Sequence, residues 1–288
     1  MRTITTIAEL RREVAAVRER HGSTGPGAGD PVVGLVPTMG YLHEGHLALV
    51  DRIRELVPFV VMSLFVNPTQ FGEGEDFEAY PRDLSRDMEL AEQRGVHVLF
   101  TPSVAEVYPA GRPLVRVVPG PLADVLCGAF RPGHFEGVLT VVAKLFGMTQ
   151  PDVAVFGQKD YQQVALIRRM ARDLDMPVRI EVVPTVRDYD GLALSSRNAY
   201  LTEVERVRAR TLSAGLFAAR AAFAEGEAAA DRLKGCAVIT MAEAAVNPEY
   251  LELLDPDTLA PLAEARAGAV LAVAATVGAT RLIDNVIL

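Results

Sequence analysis

Positive charge is the scarcer sign in this 288-residue chain: 29 lysines and arginines face 37 aspartates and glutamates, for a formal net charge of -8. General affinity for nucleic acid or an anionic membrane surface needs a basic surface. Neither partner is expected, and any anionic ligand must be held by a local site. Cysteine is almost missing. Cys127 and Cys236 lie far apart without metal-type spacing, which excludes a disulfide framework and fits a reducing cytoplasm. No apolar run approaches the ~20 residues of a spanning helix, and the N-terminal residues are polar and charged, so neither export nor membrane insertion is expected. Lysine occurs only at Lys144, Lys159 and Lys234. Arginine supplies nearly all the positive charge, which makes each lysine conspicuous, although a bias toward Arg and Ala would leave most of them as surface residues. Three familiar loops are also missing: the Gly-x-Ser-x-Gly nucleophile turn, the Walker A loop, and Gly-x-Gly-x-x-Gly after the first strand. A site in this chain therefore works by positioning and charge stabilisation.

What is present is ample apolar content, 50% hydrophobic residues, enough to bury a substantial core. Thr6 and Glu9 read as a capping box for a helix carrying Leu10, Val14 and Val17 on one face. The Gly- and Pro-rich stretch 23–31 reads as a surface loop. Apolar strands are predicted at 32–36, 59–66, 96–100, 152–156 and 178–183, with a further edge or excursion at 115–118. Helices are predicted near 44–56, 82–94, 137–148 and from the 157–160 turn to about 174. Strands apolar on both faces, alternating with amphipathic helices, predict a doubly wound parallel sheet with ligands beyond the C-terminal strand ends. After Arg187 the pattern changes to two Ala-rich helices and three closing strands. The expected organisation is an α/β Rossmann-like domain over 1–185 and a smaller α+β domain over 186–288.

The chemistry-bearing residues cluster at predicted strand ends. Met39-Gly40-Tyr41-Leu42-His43-Glu44-Gly45-His46 turns a strand into a helix, where unsatisfied N–H groups, the helix dipole and two imidazoles would form an anion site. A metal is the competing reading, but the spacing is His-x-x-His rather than i,i+4. Gly157-Gln158-Lys159-Asp160 is a second such turn, expected on the same crest, with Lys159 as a point charge for a phosphate and Gln163 one turn on. Asn67 and Gln70 follow the second strand as uncharged donors and acceptors. The loops Arg131 to His134 and Ser195-Ser196-Arg197-Asn198 could each hold an oxyanion. The acidic, glycine-containing segment 72–80 reads either as a moving lid or as a disordered loop.

Pro37-Thr-Met-Gly-Tyr-Leu-His-Glu-Gly-His46 resembles the HIGH-type signature of nucleotidyltransferases, in the form found in the pantoate–β-alanine ligase family. Five further blocks resemble that family in its order: Phe65–Phe71, Tyr80–Arg82, Arg131–Gly137, Phe156–Gln163 and Asp190–Asn198, with Arg281-Leu-Ile-Asp-Asn285 near the end. Tyr41 departs from the pattern, since a small residue is frequent there, and the 22–31 loop looks lengthened.

The resemblance implies ATP- and magnesium-dependent ligation in two steps. Pantoate carboxylate attacks the α-phosphorus of ATP to give pantoyl adenylate, and β-alanine then displaces AMP. It implies that Met39, Gly40, Tyr41, Leu42, His43, Glu44, Gly45 and His46 line the ATP site with Gly157, Gln158, Lys159, Asp160, Val186, Leu194, Ser195, Ser196 and Arg197. His46, His43 and Lys159 would act on the phosphates, and Gln70, Gln163 and Asn67 would bind pantoate and β-alanine. A cytoplasmic homodimer is implied, with Mg2+ carried by the nucleotide. A transferase acting on a phosphate acceptor and a non-catalytic nucleotide sensor are the alternatives.

Overall fold

The computed structural model describes residues 1–288, which divide into two compact units. The first comprises Met1–Asp124, Gly128–Gly157 and Leu166–Val183, and the second Val125–Cys127, Gln158–Ala165 and Pro184–Leu288.

In the first unit, β1 (Arg2–Ile4), β2 (Val33–Thr38), β3 (Phe59–Leu64), β4 (Val98–Phe100), β5 (Val153–Gly157) and β6 (Arg179–Val183) form one sheet in the order β1-β4-β3-β2-β5-β6. Every pairing is parallel. The connections run through α1 (Ile7–Arg20), α2 (Glu44–Arg54) and α3 (Leu84–Gln93), the short α4 (Val104–Val107) and α5 (Cys127–Phe130), then α6 (His134–Thr149) and α7 (Tyr161–Asp173). Thr6 caps α1 by accepting from the Glu9 amide, but the reciprocal half of the expected capping box is not made, and the Glu9 carboxylate accepts from Arg2 at 3.1 Å instead. Val36, Val60, Met62 and Leu99 on one sheet face pack with Leu49, Val50 and Ile53 of α2 in a continuous core. Because β5 pairs directly with β2, Gly157 and Thr38 end their strands at the same edge of the sheet.

One further expectation is corrected and one alternative is decided. A sixth strand, β1, joins the sheet without a matching sequence signal, because it is three residues long and buries only Ile4. Of the edge or excursion expected at 115–118 the structure has the excursion: these residues form no strand, and Leu114, Val115 and Val118 stand 98%, 89% and 70% exposed. Their β-branched composition favours extended backbone, but no neighbouring strand pairs with them.

The second unit holds α8 (Glu203–Ala224), α9 (Ala230–Ala242) and the antiparallel strands β7 (Pro248–Leu254), β8 (Val270–Val277) and β9 (Thr280–Ile287). Thr202 and Glu205 cap α8 reciprocally. Alternate residues of β8 serve two cores, as the two-residue period of a strand demands. Leu271, Val273 and Ala275 join Leu212, Leu216 and Leu233 from the helices, whereas Val270 and Ala272 join Leu126 and Leu254. No helix is long and apolar enough to cross a membrane.

Candidate active site

In the first unit the β2–α2 turn is built from its own side chains. His43 Nδ1 accepts from the Gly45 amide at 3.1 Å, and His46 Nδ1 accepts from the His43 amide at 3.4 Å, a reciprocal cap made by two imidazoles. A backbone N–H can only donate, so each neutral ring carries its proton on Nε2. The rings lie 4.0 Å apart between centroids. This revises the expected source of anion-binding groups: the Gly45 amide is already used by His43, and the ring donors of the turn are the Nε2–H edges.

Asp87, in α3 and 2% exposed, fixes the preceding residues by accepting from the Tyr41 and Leu42 amides, both at 2.7 Å. Burial pushes its carboxyl up, against these two backbone donors. Gly40 at φ 88° and Tyr41 at φ 52° both occupy left-handed backbone. A Cβ on Gly40 would lie 3.0 Å from Asp87 Oδ2. Arg86 donates to the Leu42 carbonyl at 2.9 Å and covers the Tyr41 ring, which accounts for an aromatic residue at this turn. Glu44 pairs with Arg94 at 2.7 Å at the surface.

Beyond β3, Asn67 caps the 3-10 turn Pro68–Gln70. Its Nδ2 donates to Gln70 Oε1 at 3.1 Å and to the Gly137 carbonyl at 3.2 Å, while its Oδ1 accepts from Tyr108 Oη at 2.8 Å. Gln70 Nε2 in turn points at Met39 Sδ, 3.1 Å away. The sequence-predicted residues Met39, His43, His46, Asn67 and Gln70 thus belong to one unit, and Met39 touches Gln70. Gly137 of α6 is required by close approach, since a Cβ there would sit 2.2 Å from the Thr69 carbonyl oxygen. Gly137→Ala should destabilise the protein by about 1–3 kcal/mol, the range for overpacking, and thermal unfolding of the variant measures it.

The 72–80 segment is held by arginine. Arg131 forks onto Glu75 at 2.7 and 2.5 Å and reaches His134 Nε2 at 3.0 Å, while His134 Nδ1 contacts the Gln70 carbonyl at 2.8 Å. Arg82 donates to the carbonyls of Phe77 and Tyr80 at 2.8 and 3.0 Å. Burial pushes the Glu75 carboxyl up, but the Arg131 hydrogen bonds and charge outweigh it and hold it below the ordinary range. A depressed carboxyl stabilises the fold fully above its unfolded value, about 4.3, and the contribution is lost as pH falls through the lower folded value. Pepsin cleavage within 72–80 should therefore rise in that acid window, and Glu75→Gln should show high cleavage with no such step.

In the second unit, the turn Gln158–Asp160 is tied to β9. Asn285, 2% exposed, donates from Nδ2 to the carbonyls of Gln158 and Lys159, both at 3.0 Å, and accepts from Gln158 Nε2 at 3.1 Å. Lys159 Nζ lies 3.7 Å from Asp160. Arg187 forks onto Asp284 at 2.6 and 2.9 Å. Burial pushes the Asp284 carboxyl up, opposed by Arg187 and more weakly by the charge of Lys159. Val186 accepts from the Leu194 amide at 3.0 Å across a short hairpin, and Ser195 then caps the 3-10 turn Ser196–Tyr200 by accepting from the Arg197 amide at 3.3 Å. Gln163 is half-buried on the first turn of α7. Sequence reasoning missed Asp87, Tyr108, Arg187 and Asp284. Only Asp284 lies inside a singled-out block, and the roles of the others follow from contacts between distant parts of the chain, such as the 46 residues that separate Tyr41 from Asp87.

The whole chain has counterparts among known proteins. A family model for pantoate–β-alanine ligase matches residues 2–287. Pantothenate synthetase 1 of Bradyrhizobium diazoefficiens is 54% identical, covering 100% of this chain and 98% of its own length. Pantothenate synthetase of Thermus thermophilus is 50% identical, over 99% of this chain and 98% of its own. A crystal structure of the Thermus thermophilus pantothenate synthetase superposes with a TM-score of 0.90 at 49% identity, over 99% of each chain. A pantoate–β-alanine ligase from Francisella tularensis, crystallised with β-γ ATP and β-alanine, does so with a TM-score of 0.80 at 32% identity, over 100% of this chain and 97% of that one. With a match running from the second residue to the penultimate one, this chain belongs to the pantoate–β-alanine ligase family.

Proposed function

We propose that the chain joins pantoate to β-alanine at the expense of ATP, passing through pantoyl adenylate and releasing AMP and pyrophosphate. The observation that carries this reading is the imidazole pair, whose mutual cap commits both Nδ1 atoms and makes both Nε2–H groups donors at the edge of a parallel sheet. A carboxylate attacks phosphorus without a general base, so such a site needs only in-line alignment and neutralisation of growing charge. His46 donates to the phosphates with His43 as its partner, and Lys159 adds a point charge to the transferring group. Met39 to Gly45, Gly157, Gln158, Asp160, Val186 and Leu194 to Arg197 complete the nucleotide contacts. Gln70, Gln163 and Asn67 hold the acids. The Francisella relative, crystallised with a nucleotide and β-alanine, supports the same substrates here.

Magnesium enters with the triphosphate. The chain has no group of three His, Cys, Asp or Glu side chains suited to a metal ion, and magnesium commonly borrows phosphate oxygens and keeps its waters. The exposed apolar run at Leu114, Val115 and Val118 supports a homodimer, for which Val115→Asp should shift the sedimentation coefficient toward a monomer. The free thiols of Cys127 and Cys236 fit a cytoplasmic setting.

Exchange of labelled pyrophosphate into ATP tests the reaction. It should require pantoate and proceed without β-alanine. Exchange that ignores pantoate would refute the reading.

A further inference from the structure

We propose that Tyr108 is a positioning residue which, acting through Asn67, fixes the Gln70 amide with its NH2 group toward the substrate, so that pantoate is selected by an acceptor oxygen. This rests on the assignment of Gln70 to pantoate binding made above.

The amide ends can be assigned from their neighbours, because two of those neighbours have no freedom. The Thr69 N–H, which only donates, lies 3.4 Å from Asn67 Oδ1, and the Gly137 carbonyl, which only accepts, lies 3.2 Å from Asn67 Nδ2. Rotating the Asn67 amide would set donor against donor and acceptor against acceptor. Tyr108 Oη at 2.8 Å and Thr69 Oγ1 at 3.0 Å add two hydroxyl donors to the same oxygen. Tyr108 is 5% exposed, and burial pushes its phenol up, which keeps it a donor. With Asn67 fixed, its Nδ2 must meet an oxygen on Gln70, and Oε1 is the atom at 3.1 Å. The remaining end of Gln70 is Nε2, whose neighbour is Met39 Sδ at 3.1 Å. A thioether is a weak acceptor, which a carboxylate or hydroxyl oxygen of pantoate outcompetes. The string is shielded from solvent, with Asn67 1% and Gln70 9% accessible. Water therefore cannot readily replace a missing partner, and the sense of each amide passes to the next.

The kinetic consequence separates this from a role in packing. A string that sets the polarity of one pantoate contact acts on pantoate affinity, leaving ATP affinity and turnover nearly intact. Steady-state rates of AMP formation in the full-length Tyr108→Phe protein should show the pantoate KM raised about ten-fold, the scale of one hydrogen bond, with kcat and the ATP KM within about two-fold. In a Gln70→Ala background, adding Tyr108→Phe should raise the pantoate KM no further, since the effect runs through Gln70. Thr69→Val keeps the backbone donor, removes the hydroxyl, and should move the pantoate KM the same way, which covers the case in which Tyr108→Phe folds poorly. An unchanged pantoate KM in folded Tyr108→Phe and Thr69→Val would overturn the proposal, as would independent effects of Tyr108→Phe and Gln70→Ala or an equal rise in the ATP KM. A wild-type protein that forms no AMP from pantoate would instead overturn the parent assignment, and the positioning role with it.

Discussion

His46→Ala should slow pantoate-dependent pyrophosphate release by about two orders of magnitude or more, and Lys159→Ala by a similar factor, the scale of losing one preorganised transition-state donor. The two losses differ in kind. His46 gives its Nδ1 to the His43 amide, so alanine removes both the proposed phosphate donor and half of the helix cap. Loss of a cap costs on the order of 1 kcal/mol of stability, which thermal unfolding reads separately from rate. Lys159 carries no cap, and its ammonium has one carboxylate, Asp160, at 3.7 Å. Its alanine variant should unfold at nearly the wild-type temperature while losing rate. Single-turnover measurement isolates adenylation from product release. Near-normal single-turnover rates in both variants would remove these residues from the chemistry.

The contrast between legible and hidden features has a physical basis. The strand-turn-helix at 37–46 shows in the sequence because strand period, glycine and helix period follow one another within ten residues. The place of Gly157 on the same sheet edge is also legible, since alternating strands and helices predict a parallel sheet whose strands end on one side, whereas the β2–β5 pairing itself shows only in the fold. Asp87 is not legible: it reads as one more polar residue of an amphipathic helix, yet it fixes two amides 45 and 46 residues earlier. Tyr108 reads as an aromatic in a loop, and only the fold brings its hydroxyl to Asn67. The 72–80 segment is ambiguous in sequence because composition reports glycine and acid but not the arginines that hold them, Arg131 and Arg82. The edge-strand alternative at 115–118 is not taken, for the opposite reason. Val115, Val117 and Val118 satisfy local propensity, but a strand needs a neighbour, and local sequence cannot supply one.

Arg187→Ala should destabilise the protein by about 3–5 kcal/mol, the cost of stranding the partner of a buried ion pair. Arg187 is 17% exposed and its partner Asp284 only 3%. The pair is bidentate, so alanine removes both bonds at once. The unfolding midpoint should fall by roughly 10 °C for a chain of this size. The deficit should also depend on pH in a definite direction. Burial already pushes the Asp284 carboxyl up, and Arg187 opposes that shift. Without the arginine the carboxyl rises further, and a raised folded value favours the fold at low pH and is lost as pH increases. The gap between variant and wild type should therefore narrow on acidification, whereas a loss of packing alone would leave it constant. Arg187→Lys keeps the charge but not the fork and should fall between the two. Catalysis should suffer as well, because Asp284 Oδ1 accepts from the Asn285 amide at 2.7 Å and Asn285 holds the carbonyls of Gln158 and Lys159. Adenylation measured well below the variant's midpoint should thus fall with Arg187→Ala even though no atom of Arg187 need touch the nucleotide.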